Sequence, residues 1–255
     1  MPMLDCETPE SIYASLANIF GTDEGRIQDL LLRFDIDEYI RANPQVKQDS
    51  DELLLSVISP SGVPPTYDAT CWFHLTRAWP DTTFEQGILP LGMQIDSIWA
   101  LLFDLLEGSF SEAGWGDFRR SVETDFSHHL AKIYRLKTSR QHLWGPYAIL
   151  IRDIAFDPKT YGNHDYLGIP EIVDDICVCF QQYGGINLRE IYLQRTRPCI
   201  VKFIDSATDR EYVKSATKYV YLLHHETTLV APETYSFDGR GRPVPPGRIL
   251  KIQYP

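Results

Sequence analysis

The sequence lacks the basic runs that are typical of non-specific nucleic-acid binders. Its formal net charge is −11 at pH 7. Residues 1–60 carry much of this acidity, because twelve Asp or Glu and four Lys or Arg give that segment a net charge of −8. Phosphate contacts from Lys and Arg dominate affinity for nucleic acid, so any nucleic-acid substrate requires a local basic groove. The acidic face is expected to be solvated or to attract a basic protein partner.

Secretory and membrane features are also missing. Residues 1–20 have neither the basic start nor the apolar core of a signal peptide. The most apolar run, Ile95–Leu106, is too short to span a bilayer and contains Asp96 and Asp104. We therefore expect a cytoplasmic protein without a membrane role.

The cysteines form no C-x-x-C pair, and their number is odd. Two of them lie in an apolar run, where free thiols behave as small hydrophobic residues. We expect reduced core thiols and no zinc site. The five positions are Cys6, Cys71, Cys177, Cys179 and Cys199.

Several common catalytic signatures are absent. Gly239-Arg-Gly241 is followed by Pro243, which excludes a Rossmann fingerprint, and the chain has neither a P-loop nor a Gly-x-Ser-x-Gly elbow. His225-Glu226 begins like a zinc-protease motif, but Leu229 stands where the second histidine ligand is required. These classes of enzyme are excluded.

Periodicity and turn residues predict helices in the first half of the chain and strands later. That order favours an α+β fold with a mixed or antiparallel sheet. A Pro/Gly-rich connector at 59–65 separates an N-terminal helical element, residues 1–60, from a main domain, residues 65–255. The predicted helices are 9–20, 22–43, 81–84, 93–106, 117–137 and 170–184, and the predicted strands are 53–58, 71–77, 147–151, 198–204, 219–223 and 248–252.

One stretch carries more chemistry than the rest. Cys71-Trp-Phe73 suits a buried strand, which delivers His74, Thr76 and Arg77 at its end. The following turn reaches Gly87, which can adopt the positive φ that ends a short helix. A buried core histidine and a surface arginine also fit this pattern.

Phe73-His74-Leu75-Thr76-Arg77, followed by Phe84-Glu-Gln-Gly87-Ile-Leu89, resembles the first strand and following helix of the ADP-ribosyltransferase superfamily. The resemblance is strongest to its DarT-like and RNA 2′-phosphotransferase-like branches. It implies an ADP-ribosyltransferase-like sheet, NAD as substrate and a protein or nucleic-acid acceptor. Such proteins often act as toxins or defence effectors, so an antitoxin is a further possible partner.

The resemblance also implies roles for individual residues. His74 would contact the NAD ribose with Thr76 beside it, and Arg77 would hold the pyrophosphate. Tyr147 is the candidate for stacking on nicotinamide, with Tyr161 and Tyr166 as competitors.

A late glutamate completes the implied site. Breaking the nicotinamide–ribose bond passes through an oxocarbenium-like state, which a carboxylate stabilises. Glu226 is the first candidate for this role, Glu233 the second and Glu211 the third.

Two alternatives remain open. His74-Leu-Thr76 and His225-Glu-Thr227 are two H-x-T tripeptides, the pattern by which two-histidine phosphoesterases place an acid and a base around a cyclic phosphate. The other alternative is a binding scaffold without catalysis.

Overall fold

The structure, a computed structural model, describes residues 2–59, 66–226 and 235–255. This part of the chain forms helices and a sheet, so the protein is α+β, as predicted. The helices are α1 (Pro9–Phe20), α2 (Glu24–Arg33), α3 (Ile36–Ala42), α4 (Ser50–Ile58), α5 (Leu91–Asp104), α6 (Glu112–Thr124), α7 (His129–Ser139), α8 (Glu171–Gly184), α9 (Leu188–Arg195) and α10 (Arg210–Leu222). The strands are β1 (Met3–Leu4), β2 (Ala69–Ala78), β3 (Tyr147–Ile149), β4 (Arg197–Asp205), β5 (Ser236–Asp238) and β6 (Ile249–Gln253).

Strand β2 is the centre of the sheet. The strand order is β5-β3-β2-β4-β6, and β1 pairs with β2 in parallel. Strand β3 pairs with β2 in the antiparallel direction, with Phe73 opposite Ile149. The buried start of β2, Cys71 to Phe73, explains this position, because only a central strand is covered on both faces.

Two predicted strands are wrong. Residues 53–58 belong to α4 and residues 219–223 to the end of α10. A short apolar run is compatible with a buried helix as well as with a buried strand, so composition alone does not separate the two. The residues that cap the helix N-termini identify both segments as parts of helices. The Asp49 side chain accepts a hydrogen bond from the Glu52 N–H, and the Asp209 side chain accepts one from the Glu211 N–H.

The loop after β2 is not helical, which corrects the helix predicted at 81–84. Asp81 has φ 70° and Phe84 has φ 53°, and these left-handed conformations cannot continue a right-handed helix. The positive φ predicted for Gly87 is confirmed at 80°. Gly87 also lies against another backbone segment, since Ile88 and Val244 exchange two hydrogen bonds of 2.9 Å.

Two predicted long helices are each divided by an internal cap. The first divides into α2 and α3, where the Asp35 side chain accepts from the Glu38 N–H. The second divides into α6 and α7, where His128 accepts from the Leu130 N–H. Each cap supplies an acceptor for the free N–H groups of a new first turn.

The chain forms two compact units. One comprises Met1–Phe73, Ile149–Tyr161 and Phe203–Ser236, and the other comprises His74–Ala148, Gly162–Lys202 and Phe237–Pro255. In the first unit, α4 packs on α10 through buried lysines: Lys218 pairs with Asp51 at 2.8 Å and Lys214 with Glu52 at 3.1 Å.

The core of the second unit is aromatic. The Trp99 indole donates a 2.8 Å hydrogen bond to the Tyr134 hydroxyl, so both polar groups are satisfied inside the core. The surrounding rings meet at 5.0–5.5 Å in tilted or edge-on contacts, which contribute beyond area burial. Its largest members are Trp99, Trp115, Phe118, Tyr134 and Phe180.

The cysteines are buried and free, as predicted. Burial raises the pKa of Cys179 and of Cys199 to about 11, so these thiols are protonated and inert at neutral pH. None of the helices in the described ranges has the length and apolar character needed to cross a membrane.

Replacing Gly87 by Ala should destabilise the fold by about 2–4 kcal/mol. The substitution strains a positive φ, and the new Cβ would stand 2.0 Å from the Val244 carbonyl oxygen. Gly21→Ala is the matched control, since Gly21 has φ 61° but open space around the new Cβ, and it should cost about 1 kcal/mol. Urea unfolding measures both; equal losses would contradict the role of the carbonyl contact.

Candidate functional site

The end of β2 divides the predicted site residues between the two faces of the sheet. Side chains alternate along a strand, so His74 and Thr76 share one face while Leu75 and Arg77 share the other. The H-x-T spacing therefore places the His74 and Thr76 side chains next to each other on one face of the sheet. It also separates both of them from Arg77.

His74 is held by the neighbouring strand. Its side chain is half-buried, and its Nδ1 lies 2.7 Å from the main-chain carbonyl oxygen of Tyr147. A carbonyl only accepts, so Nδ1 carries the proton and donates. Burial lowers the pKa of His74, which favours the neutral ring. The ring is therefore a neutral imidazole whose Nε2 is an acceptor.

Thr76 supplies the second polar group of that face. Its side chain is half-buried, and its hydroxyl makes a long 3.4 Å contact with the Arg77 carbonyl. A contact of that length is weak, so the hydroxyl can turn to another partner. Together, His74 Nε2 and Thr76 Oγ1 offer an acceptor and a hydroxyl at one point on the sheet.

The guanidinium of Arg77 is hydrogen-bonded to other residues of the protein. Its guanidinium donates to the Thr196 hydroxyl at 3.0 Å and to the Thr196 carbonyl at 2.7 Å. It also donates to the carbonyls of Leu193 at 3.1 Å, Leu167 at 2.9 Å and Gly168 at 3.4 Å. These contacts use all five N–H groups and place the positive charge at the C-terminus of α9, where the helix dipole favours it. Holding a pyrophosphate, as the resemblance implies, would require breaking this network.

Tyr147 contacts His74 through its main chain and not through its ring. Because Phe73 is paired with Ile149, alternation in β3 puts the Tyr147 ring on the face opposite His74. The ring is 39% exposed. Burial, then the nearby charges of Asp238 and Glu171, raise the pKa of its hydroxyl. The structure thus brings the Tyr147 backbone to His74 and leaves the ring on the Arg77 face.

The competing tyrosines lie in different surroundings. Tyr161 is half-buried in a turn of the first unit, and burial raises its pKa. Tyr166 belongs to the second unit, where its hydroxyl is hydrogen-bonded to Glu171 and burial raises its pKa. Glu171 is also paired with Lys137 at 3.1 Å. This cluster is not predicted by the sequence, which identifies Pro170-Glu171 as a helix start alone.

The candidate glutamates all lie late in the chain. Glu226 is exposed and follows α10 in the first unit, and the apolar segment 227–230 that comes after it lies outside the described residues. Glu211 is in the first turn of α10 and pairs with Lys214 at 2.9 Å. Glu233 lies outside the described residues.

His225, the second histidine of the phosphoesterase alternative, is engaged in packing. Its ring stacks on Tyr221 with centroids 4.2 Å apart and planes inclined by 12°. Its Nε2 lies 2.9 Å from the Leu31 carbonyl, to which it must donate. Thr227, the last residue of that tripeptide, lies outside the described residues. The contact fixes the ring through Nε2 and leaves Nδ1 as the nitrogen that a catalytic acid or base would have to use.

Metal chemistry has no visible site in the described ranges, because no three His, Cys, Asp or Glu side chains there are grouped to hold an ion. No family model, curated protein or solved structure matches the chain. The geometry at the end of β2 is therefore the basis for a functional proposal.

Arg77→Lys should lower the free energy of unfolding by about 2–4 kcal/mol, because one ammonium cannot satisfy five acceptors and leaves buried carbonyls unpaired. Arg33→Lys is the control, since Arg33 is 81% exposed and pairs with the exposed Asp29. That change should cost less than about 0.5 kcal/mol. Chemical denaturation of both variants tests this, and a small loss at Arg77 would contradict the structural role.

His74 should make the fold sensitive to mild acid. Its pKa is lowered in the folded state, so below about pH 6.5 the unfolded chain binds the proton first. The contribution of His74 to the free energy of unfolding is therefore complete above about pH 6.5 and is lost as the pH falls through the lowered pKa of the folded state. His74→Asn should therefore flatten the stability profile below about pH 6.5. Parallel profiles for wild type and His74→Asn would contradict the assignment.

Proposed function

We propose that this protein is an NAD-dependent ADP-ribosyltransferase with a site built on the His74 and Thr76 face of β2. The observation that carries the proposal is the state of His74. The Tyr147 carbonyl holds the ring as the Nδ1–H tautomer, and burial keeps it neutral, so Nε2 is an acceptor. A ribose hydroxyl is a donor of the kind that such a nitrogen accepts.

The proposed chemistry uses few protein groups. His74 Nε2 would accept from a ribose hydroxyl of NAD, and Thr76 would supply a second hydrogen bond beside it, which orients the sugar. Glu226 would stabilise the positive charge that develops on the ribose as nicotinamide leaves. Glu233 stays the second candidate for that carboxylate. Arg77 would support the strand that carries His74, without touching the substrate.

The acceptor is proposed to be a protein or a nucleic acid, and the setting a cytoplasmic toxin or defence effector. The net charge of −11 supports a protein acceptor or a locally bound nucleic acid, because an acidic surface repels a phosphate backbone. An antitoxin or another basic protein is the proposed regulatory partner.

Nicotinamide release from NAD in the presence of cell lysate tests the proposal. His74→Asn keeps a donor near the Nδ1 position and so retains the Tyr147 contact, but it removes the Nε2 acceptor. We expect KM for NAD to rise about tenfold, the value of one hydrogen bond. Glu226→Gln should lower kcat about 100-fold or more. Glu24→Gln in α2, at an exposed position, is the matched control and should change neither constant.

Three outcomes would overturn the proposal. Absence of both nicotinamide release and calorimetric NAD binding would favour a scaffold. Turnover of 2′,3′-cyclic phosphates that requires His225 as well as His74 would favour the phosphoesterase. Release that survives His74→Asn and Glu226→Gln unchanged would place the chemistry elsewhere.

A further inference from the structure

A groove on the first unit runs between α2 and α4. Its volume is about 470 Å³, and its mouth is open to solvent. Three apolar and three charged side chains line it. They are Arg26, Asp29, Leu30, Arg33, Phe34 and Val57.

The spacing of the α2 residues explains why the groove exists. Arg26, Leu30, Arg33 and Phe34 recur at intervals of three or four, so they form one face of α2 and its C-terminal end. Ile27 and Leu31 form the buried face instead. The groove face therefore lies beside the buried face, and its apolar part consists of the half-buried Leu30, Phe34 and Val57.

The charged rim favours an anion. The hydrogen bond of Arg26 to Asp23 uses its main-chain N–H, and its guanidinium has no partner among the residues that the structure describes. Arg33 pairs with Asp29 at 3.3 Å, but the two side chains are 81% and 65% exposed. An exposed pair of this kind contributes little, so Arg33 can turn to another anion at small cost.

This positive rim contrasts with its surroundings. Residues 1–60 contain four basic side chains against twelve acidic ones, and two of the four basic side chains line this groove. Long-range electrostatics in such a segment repels anions. An anion would therefore bind because of local contacts in the groove, and not through general attraction.

Hydrogen bonds and ring packing hold the C-terminal end of α2, which forms part of the groove. The Tyr221 hydroxyl donates to the Phe34 carbonyl at 3.0 Å and accepts from the Ile36 N–H at 3.2 Å. The Leu31 carbonyl accepts from His225 at 2.9 Å. The Phe34 ring also packs on Tyr39, with centroids 5.5 Å apart. These contacts fix the end of α2, so the groove is formed before a ligand arrives.

We propose that this groove binds a small amphipathic anion, a molecule with an apolar body and one carboxylate or sulfonate group. The apolar body would lie on Leu30, Phe34 and Val57, and the anionic group would bind Arg26 and Arg33. The site involves none of the residues assigned to NAD, so it stands independently of the proposed transferase activity.

Anilinonaphthalene sulfonate is the test probe, because it joins an apolar ring system to one negative charge. Fluorescence titration of the wild type should give saturable binding. The double variant Arg26→Gln/Arg33→Gln should weaken that binding about tenfold or more, since hydrogen bonds to charged groups are lost. Arg41→Gln/Lys47→Gln is the matched control, because it removes the other two basic residues of the segment, both exposed, for the same change in net charge. It should change affinity less than about twofold.

A second arm separates charge from apolar contact. Uncharged N-phenylnaphthylamine should bind the wild type more weakly, and its affinity should not respond to the arginine substitutions. Leu30→Asn should weaken both probes, and far-UV circular dichroism checks that each variant is folded. Absence of saturable binding by the wild type, equal losses in the two double variants, or equal affinity for the two probes would overturn the proposal.

Discussion

The alternation of side chains along β2 is the constraint on which the candidate site depends. Successive residues of a strand face opposite sides of the sheet, so His74 and Thr76 are together while Arg77 is turned away. Because Phe73 is paired with Ile149, side chains along β3 alternate in register with those of β2. The Tyr147 ring therefore lies on the same face of the sheet as Arg77. The polar residues that are adjacent in the sequence, His74, Thr76 and Arg77, thus form two groups on opposite faces of the sheet. The first group places the Nε2 acceptor of His74 beside the Thr76 hydroxyl on one face.

The two groups depend on each other through the backbone. Arg77 joins the end of β2 to the C-terminal end of α9 with three hydrogen bonds and to the carbonyls of Leu167 and Gly168 with two, which fixes the strand that carries His74. The Tyr147 carbonyl then sets the tautomer of the His74 ring. Desolvating part of a cation is costly unless its donors are satisfied, and here four main-chain carbonyls and the Thr196 hydroxyl accept from the half-buried guanidinium. The arginine to which the resemblance assigns a pyrophosphate donates its hydrogen bonds here to main-chain carbonyls and to the Thr196 hydroxyl.

Sequence reasoning found the elements with strong local signals. The first predicted helix, 9–20, has the same bounds as α1, and the apolar residues 71–73 marked β2. It failed where apolar runs are short, as at 219–223, because a buried helix and a buried strand have the same composition there. It also could not find the acceptors of Arg77, which come from residues 167–196. Main-chain carbonyls carry no residue signature, so contacts of this kind appear only in three dimensions.

The tautomer of His74 is the most direct test of this account. Long-range ¹H–¹⁵N spectra of histidine-labelled protein, with the His74 signals assigned by their loss in His74→Asn, report which ring nitrogen carries the proton. We expect a neutral ring at pH 7 with the proton on Nδ1, and an Nε2 signal that shifts when NAD is added. A proton on Nε2, a charged ring, or an Nε2 signal that does not shift when NAD is added would contradict the proposal that neutral His74 accepts a hydrogen bond from NAD through Nε2.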